Sequence, residues 1–413
     1  MENLFKVIEL NESTKIGNLT AEAHSHVKSK KYFPIYLIDG KKMIFKPLSK
    51  TKPYTTPFFA FSEVYWSYII NKYFDQDAPR YYLATSKEIE KEQPKYFEKG
   101  VLVESLTPND EKLINLYDFF DKHPDPLVDI KTYINYCMEF YDYTKILSSD
   151  FIKNNKEIGE NLAYQILLSI LRQDQNFHYE NISFLENSES LTLAPPIDFE
   201  FSTPFLFPDD LERYYSEKNA YDSSIEIKDE NDEVTNFCKF LESQGLLTLK
   251  NVNTKNICQI VRQYPDVVSR FIKNLERLIE DLPNIRLNDP DNYIGPLNSN
   301  SWEVGHAHYK EKDEEKARKL QKENPLINID KESTFNRITS DVLEFSKQFC
   351  LTLKIYLISH YAGIINLEDI TMKGLIDAFG IQKDVTIEDI DIKNKQIKLV
   401  KRQNNSPTNP SNK

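Results

Sequence analysis

Cysteine is sparse in this chain: four among 413 residues, Cys137, Cys238, Cys258 and Cys350, with no CxxC pair. Without such a pair to clip a metal or form a redox centre, they read as buried apolar residues of a reducing compartment. Basic residues are outnumbered, 52 against 64, giving a net charge of −12 and a pI near 5.3. That balance opposes tight non-specific binding to nucleic acid or anionic lipid. Long apolar runs are missing too, since the most apolar segment, Phe349 to Ile365, is interrupted by Lys354 and His360 and reads as a core helix. The start, Met1-Glu2-Asn3-Leu4-Phe5-Lys6, lacks the basic opening and apolar core of a secretory signal. The expectation is a soluble cytoplasmic protein with no nucleic-acid or membrane partner.

Apolar and aromatic side chains are plentiful. Hydrophobic residues make up 40% and aromatics 12%, with 24 Tyr and 25 Phe, so sizeable cores can form. The length suits two or three domain-sized units, or one large two-lobed enzyme with an extension. No repeat of fixed period is visible.

The first hundred residues read as strands with one helix. Tyr32 to Asp39 is apolar and aromatic, Asp39-Gly40 is a hairpin turn signal, and Lys42 to Lys46 resumes an alternating strand. After Pro53 and Pro57, Ser62 is a good N-cap for a helix from Glu63 to Phe74. Tyr81 to Ala84 and Val101 to Glu104 read as strands flanking a charged loop. From about residue 110 the pattern turns helical, and Leu162, Ile166, Leu167 and Ile170 mark one buried face of a helix over Asn161 to Leu171. Residues 182 to 201 have strand and turn character. Helices are expected again near 234–248, 254–282, 311–324 and 334–361, with an Asn-, Pro- and Gly-rich connection at Asn288 to Trp302 and a disordered tail from Lys401.

The densest chemistry lies in Arg172-Gln173-Asp174-Gln175-Asn176-Phe177-His178-Tyr179-Glu180-Asn181-Ile182-Ser183-Phe184, followed by Pro195-Pro196-Ile197-Asp198-Phe199-Glu200. A polar cluster with a His and a spaced Asn leads into an apolar run, and an Asp in an apolar setting follows. That is the layout of a kinase catalytic loop and its metal-binding Asp. Phosphoryl transfer needs a cation on the nucleotide phosphates, oxygen ligands for Mg²⁺ and a group that positions the attacking hydroxyl. Lys46 on its strand, Glu63 at the start of the next helix, and the hard oxygen donors of Asn181 and Asp198 meet these needs in order. Taken singly, each has a plainer reading: a solvated strand lysine, a helix-dipole carboxylate, a turn-capping Asp and a backbone-bonding Asn.

The run Lys41-Lys42-Met43-Ile44-Phe45-Lys46, then Ser62-Glu63-Val64-Tyr65, then Gly100-Val101-Leu102-Val103-Glu104-Ser105 resembles HipA-like serine/threonine kinases, especially the CtkA-type branch. The resemblance spans roughly residues 30 to 205. It implies an α+β, two-lobed protein-kinase-like fold: a sheet-rich N-lobe over 1–104, a helical C-lobe over 105–290, a helical C-terminal extension over 300–400 and a tail over 401–413. It further implies ATP and Mg²⁺ as cofactors, with Lys46 on the α/β phosphates, Glu63 orienting Lys46, and Asn181 with Asp198 on the metal. Leu102, Val103, Glu104 and Ser105 would line the adenine site through backbone groups. The phosphate-covering loop falls on Thr14 to Asn18, with Gly17 its single glycine. A protein substrate or the chain itself would be phosphorylated, and an antitoxin or other regulatory protein is the implied partner, since such kinases commonly act as toxins or regulators of growth.

One departure stands out. The family's loop reads Asp-x-His-x-x-Asn, whereas Asn176 stands here at the catalytic Asp position, with His178 and Asn181 in register. A neutral amide can orient a hydroxyl but accepts no proton near pH 7. Three readings follow: Asp174 takes over as base, the chain is a nucleotide-binding pseudokinase scaffold, or an Asp has been exchanged for Asn in an active kinase. A small-molecule phosphotransferase is a further alternative. His24-Ser25-His26 and His306-Ala307-His308 have metal-ligand spacing without a nearby Cys. Lys310 to Lys322 reads as a solvated helix, and Glu226 to Glu233 as a solvated acidic loop.

Overall fold

The computed structural model describes residues 5–24, 27–49, 57–92, 96–107, 112–128, 143–174, 177, 179, 181–187, 190–200, 202–205, 251–295, 297–298, 315–316, 319, 326–327, 330–361, 385–391 and 396–401. The acidic loop at 226–233, the helix expected over 234–248, the pair His306 and His308 and the tail beyond Lys401 lie outside the described residues, as do Ser25 and His26. Of Lys310 to Lys322 only Glu315, Lys316 and Lys319 are described, all exposed.

The fold is α+β, sheet-rich at its N-terminal end and helical beyond. Six strands, β1 (Val7–Glu9), β2 (Lys15–His24), β3 (Val27–Ile38), β4 (Lys41–Ser49), β5 (Tyr81–Thr85) and β6 (Tyr96–Glu104), form one sheet in the order β1-β5-β6-β4-β3-β2. All pairs are antiparallel except β1 with β5. The β3–β4 turn falls at Asp39-Gly40, where φ is 49° and 76°. Two successive left-handed residues make the tight hairpin turn that Asp-Gly favours.

Strand alternation decides which face each side chain serves. Tyr36, Met43, Phe45, Ala84 and Leu102 pack with Leu10, Ile89 and Tyr96 on one face. Lys46, one residue on from Phe45 and paired with Val101, lies on the other, where Val101 and Val103 meet α1 (Pro57–Tyr73) in the main core. Gly100 permits the close β4–β6 approach, since a Cβ there would lie 2.2 Å from the Lys46 carbonyl oxygen and 2.8 Å from the Pro47 Cα.

Helix α1 opens at Pro57, six residues before the expected start at Glu63, with proline's fixed φ suiting a first helical position. Phe58, Phe59, Phe61, Val64, Tyr65, Trp66, Ile69, Ile70 and Tyr73 are all buried, so the helix is apolar on nearly every side. The charged loop expected between β5 and β6 contains a short helix, α2 (Lys87–Glu92).

Beyond β6 come β7 (Lys112–Asn115), α3 (Leu116–Lys122), α4 (Thr144–Leu147), α5 (Asp150–Asn154) and α6 (Lys156–Leu171). Asn115 caps α3 by accepting the Asp118 N–H. Strands β8 (Ser183–Glu186) and β9 (Leu191–Leu193) join β7 in a three-stranded sheet. Helices α7 (Asn251–Gln263) and α8 (Pro265–Asp281) follow, then a short β10 (Leu297–Asn298) paired with β11 (Leu326–Ile327), and the long α9 (Lys331–Tyr361).

The expected boundaries at 104 and 290 are crossed by a single core. Phe335 of α9 stacks on Phe58 and Phe61 at 5.9 and 5.6 Å, and Phe271 of α8 meets Phe74 and Phe349 at 5.0 and 6.0 Å. The first part of the Asn288–Trp302 connection is built into the body: Tyr293 is buried and donates to the Gly100 carbonyl at 2.7 Å, and Lys331 bridges Asp289 at 2.6 Å. The extension expected to be helical to residue 400 instead carries an antiparallel pair, β12 (Val385–Asp391) and β13 (Gln396–Lys401). Among the described residues no helix is long and apolar enough to cross a membrane.

Candidate active site

Three elements far apart in sequence meet at Lys46. Strand β4 supplies the lysine, α1 supplies Glu63, and the turn after β9 supplies Asp198 and Glu200. The Lys46 Nζ lies 2.7 Å from Glu63 Oε1, 2.7 Å from Asp198 Oδ1 and 3.9 Å from Glu200 Oε2. Glu63 is sealed, its side chain 1% exposed, whereas Lys46, Asp198 and Glu200 each keep about a quarter of theirs open. A closed inner partner and an open outer edge leave room for a ligand on one side only.

Burial opposes the charge on Lys46, but Asp198, Glu63 and Glu200 outweigh it and hold the ammonium well above the ordinary lysine range. Glu63 is pushed up to about 7 by burial, with Lys46 pulling the other way and Asp198 and Glu200 adding to the rise. Burial likewise raises the Tyr81 hydroxyl far above its usual value, with Glu63 adding to it.

The loop carrying Asp198 is held on several sides. Asp198 adopts φ of 61°, a left-handed conformation unfavourable for a residue with a Cβ. Its N–H donates to the Tyr81 hydroxyl at 3.3 Å, the Phe199 N–H donates to Glu63 Oε2 at 2.7 Å, and the Ser62 hydroxyl donates to the Phe199 carbonyl at 2.5 Å. Ser62 therefore sits within α1 and is not its cap. The Phe199 ring lies between Tyr81 at 5.5 Å and the Arg172 guanidinium at 4.5 Å.

A second layer lies behind. The Trp66 indole N–H donates to the Ser202 hydroxyl at 2.8 Å, which in turn donates to the Arg172 carbonyl at 2.7 Å. Arg172 Nη2 lies 2.8 Å from Asp174 Oδ2, with the two side chains 1% and 2% exposed. Burial lowers the Arg172 pKa and Asp174 counteracts it. Asp174 is thus an internal counter-ion; the sequence reading that gives it the proton-accepting role meets a carboxylate sealed against a guanidinium.

Of the loop between α6 and β8, Gln175, Asn176, His178 and Glu180 lie outside the described residues. Their neighbours are anchored: the Tyr143 hydroxyl donates to the Phe177 carbonyl at 3.2 Å, and the Leu116 N–H donates to the carbonyls of Tyr179 and Ile182 at 3.2 and 2.7 Å. Asn181 is half-buried in the turn before β8.

The expected adenine-lining segment is altered in detail. Leu102 and Val103 are buried in the sheet, Glu104 pairs with Lys41 at 2.7 Å, and the N–H groups of Glu104 and Ser105 already donate to Arg80 and Lys42 carbonyls at 3.1 and 2.9 Å. Those two donors serve the sheet. Gly17 sits on edge strand β2 opposite Ile35, where a Cβ would touch nothing within 4 Å, so Thr14 to Asn18 is a short turn and bulged strand rather than a covering loop.

Glu63, Asp198 and Glu200 offer oxygens within 4.8 Å of one another. A donor set of carboxylates alone suits a hard cation such as Mg²⁺ or Mn²⁺. Glu200, two residues past Asp198, carried no assignment in the sequence; the Asp-x-Glu spacing alone gives no sign that both face one lysine. The roles of Ser62 and Tyr81 at the loop could not be read either, because they arise from contacts across more than a hundred residues of chain.

No family model matches the chain, and no curated protein matches it. Among solved structures it is similar to one described as the crystal structure of a Helicobacter pylori proinflammatory kinase, CtkA, at 14% identity and a TM-score of 0.32, over 70% of this chain and 95% of that one. A likeness at that level carries no weight for function, which has to be read from the side chains.

Proposed function

We propose that this protein is an ATP- and Mg²⁺-dependent kinase of the HipA-like type, phosphorylating Ser or Thr in a protein substrate or in itself. One observation carries the reading: the strand lysine Lys46 is bonded at once to Glu63 of the following helix and to Asp198 of a distant loop, both at 2.7 Å. A β-strand lysine paired with a helix glutamate, beside an Asp placed for metal, is the arrangement on which kinase phosphate binding depends. The strand run β2-β3-β4, then α1, then β5 and β6, delivers those residues in the order the reading requires.

In this reading Lys46 gives up part of its hold on Asp198 to receive nucleotide phosphate oxygens, while Glu63 keeps it in place. Asp198 and Glu200 hold the divalent cation, with Asn181 as a further oxygen donor. The cation would neutralise phosphate charge during transfer. Asn176 and His178 position the attacking hydroxyl. An antitoxin or regulatory partner belongs to the same proposal.

A second reading is favoured by Asp174. Its burial against Arg172 removes the nearest substitute for the missing loop carboxylate, which supports a nucleotide-binding pseudokinase acting through partners.

The test is binding and transfer measured together. ATP with Mg²⁺ should raise the unfolding midpoint of the parent and leave Lys46→Ala unmoved. Radiolabel from γ-labelled ATP should appear in protein with the parent or with Asn176→Asp. Binding without labelling in either chain selects the scaffold, and absence of any nucleotide-dependent shift refutes both readings.

A further inference from the structure

We infer that Ser62 is a positioning residue that holds the Asp198–Phe199 turn in the conformation that binds the divalent cation; the inference rests on the kinase reading above. A serine inside a helix usually turns its hydroxyl back to the carbonyl one turn earlier. Ser62, fully buried in the second turn of α1, instead sends it across to the Phe199 carbonyl at 2.5 Å. Its neighbour Glu63 accepts the Phe199 N–H at 2.7 Å. Two consecutive helix residues therefore hold both polar groups of one loop residue.

The residue just before it, Asp198, has φ of 61°. Asp enters that region more readily than most residues with a Cβ, and its hydrogen-bonded surroundings decide whether it stays there. The hydrogen bonds that Tyr81, Glu63 and Ser62 make with this turn are unequal. The bond from the Asp198 N–H to Tyr81 is long at 3.3 Å, and Glu63 divides its carboxylate between Phe199 and Lys46. The Ser62 bond is uncharged, fully buried, short and committed to the loop, so it keeps the turn in place when Lys46 and Glu63 adjust to a nucleotide. Loss of the hydroxyl leaves the Phe199 carbonyl without that donor and frees Asp198 to leave the left-handed region, turning its carboxylate from Glu200.

Mn²⁺ serves as the probe, with free ion counted by electron paramagnetic resonance on the full-length chain, with and without ATP. Ser62→Ala should bind Mn²⁺ about three- to ten-fold more weakly than the parent, the loss of one buried hydrogen bond. Ser62→Thr, which keeps a hydroxyl on the same carbon, should return affinity to within about two-fold. A purely structural role would lower the unfolding midpoint of Ser62→Ala and leave Mn²⁺ affinity unchanged, and that result overturns the inference. Should Ser62→Ala not fold, Ser62→Cys replaces it under the same criterion, since a thiol keeps the bulk and donates only weakly. A parent that binds neither Mn²⁺ nor ATP overturns the kinase reading and this inference together, whereas a parent that binds both, with Ser62→Ala its equal, overturns the inference alone.

Discussion

Replacing Asp174 with Ala separates two roles that the sequence leaves open. As a substitute base, Asp174 would matter to turnover and little to folding. The structure gives the opposite weighting: its carboxylate faces Arg172 at 2.8 Å, both side chains are almost fully buried, and Arg172 Nε and Nη1 find no hydrogen-bond acceptor among the described residues. Arg172 compensates in part by stacking on Phe199, but its charge is matched by Asp174. Removing one member of a buried pair strands the other, at a cost of about 3–5 kcal/mol. At about 2 °C per kcal/mol, the slope for a chain of this size or somewhat smaller, the unfolding midpoint should fall by roughly 6–10 °C.

Circular dichroism melts of four chains measure this: the parent, Asp174→Ala, Arg172→Met and the double variant. The double variant should be more stable than the sum of the two losses implies, because no charge is left buried alone; a coupling of about 2 kcal/mol or more is expected. An Asp174→Ala midpoint within about 1 °C of the parent, or strict additivity in the double variant, would refute the counter-ion role and return Asp174 to candidacy as the base.

Two further outcomes test the frame around the site. Gly100→Ala puts a Cβ 2.2 Å from the Lys46 carbonyl and 2.8 Å from the Pro47 Cα, so β4 must shift; melts should show a loss of about 1–3 kcal/mol, and the ATP-dependent stabilisation should shrink with it as Lys46 moves. Tyr293→Phe keeps the ring against Phe61 but leaves the buried Gly100 carbonyl without its 2.7 Å donor, a loss of about 1–3 kcal/mol by denaturant titration with an unchanged m-value.

What could be read from the sequence was what local chemistry fixes. The Asp39-Gly40 turn was legible because two left-handed residues suit that dipeptide, and α6 because Leu162, Ile166, Leu167 and Ile170 keep helical spacing. The first turns of α1 were not legible. Phe58, Phe59 and Phe61 are all buried, which erases the amphipathic period, and Pro57, placed before the expected helix, is its first residue. The β12–β13 pair was missed because its strands mix charges with apolar residues, a pattern shared with exposed helices. Within the site, Lys46, Glu63 and Asp198 could be picked out by order along the chain. Glu200 and Ser62 could not, because their partners lie about 150 and 137 residues away.

The charge balance of this cluster ties the fold to its chemistry. Among the described residues, Lys46 and Arg172 are its cations, against the carboxylates of Glu63, Asp198, Glu200 and Asp174. Asp174 faces Arg172 directly, and Lys46 is the cation in contact with the other three. Burial is the first cause of the rise of Glu63 to about 7, and Asp198 and Glu200 add to it against the pull of Lys46. A divalent cation at Asp198 and Glu200 would supply the missing two charges on the open side and leave Glu63 free to serve Lys46. The same excess explains why the Phe199 backbone is tied down from both ends, since the carboxylates would otherwise repel one another apart. Neutral hydrogen bonds, from the Ser62 hydroxyl and to the Tyr81 hydroxyl, hold the turn against that repulsion, which a cation bound at Asp198 and Glu200 would lessen.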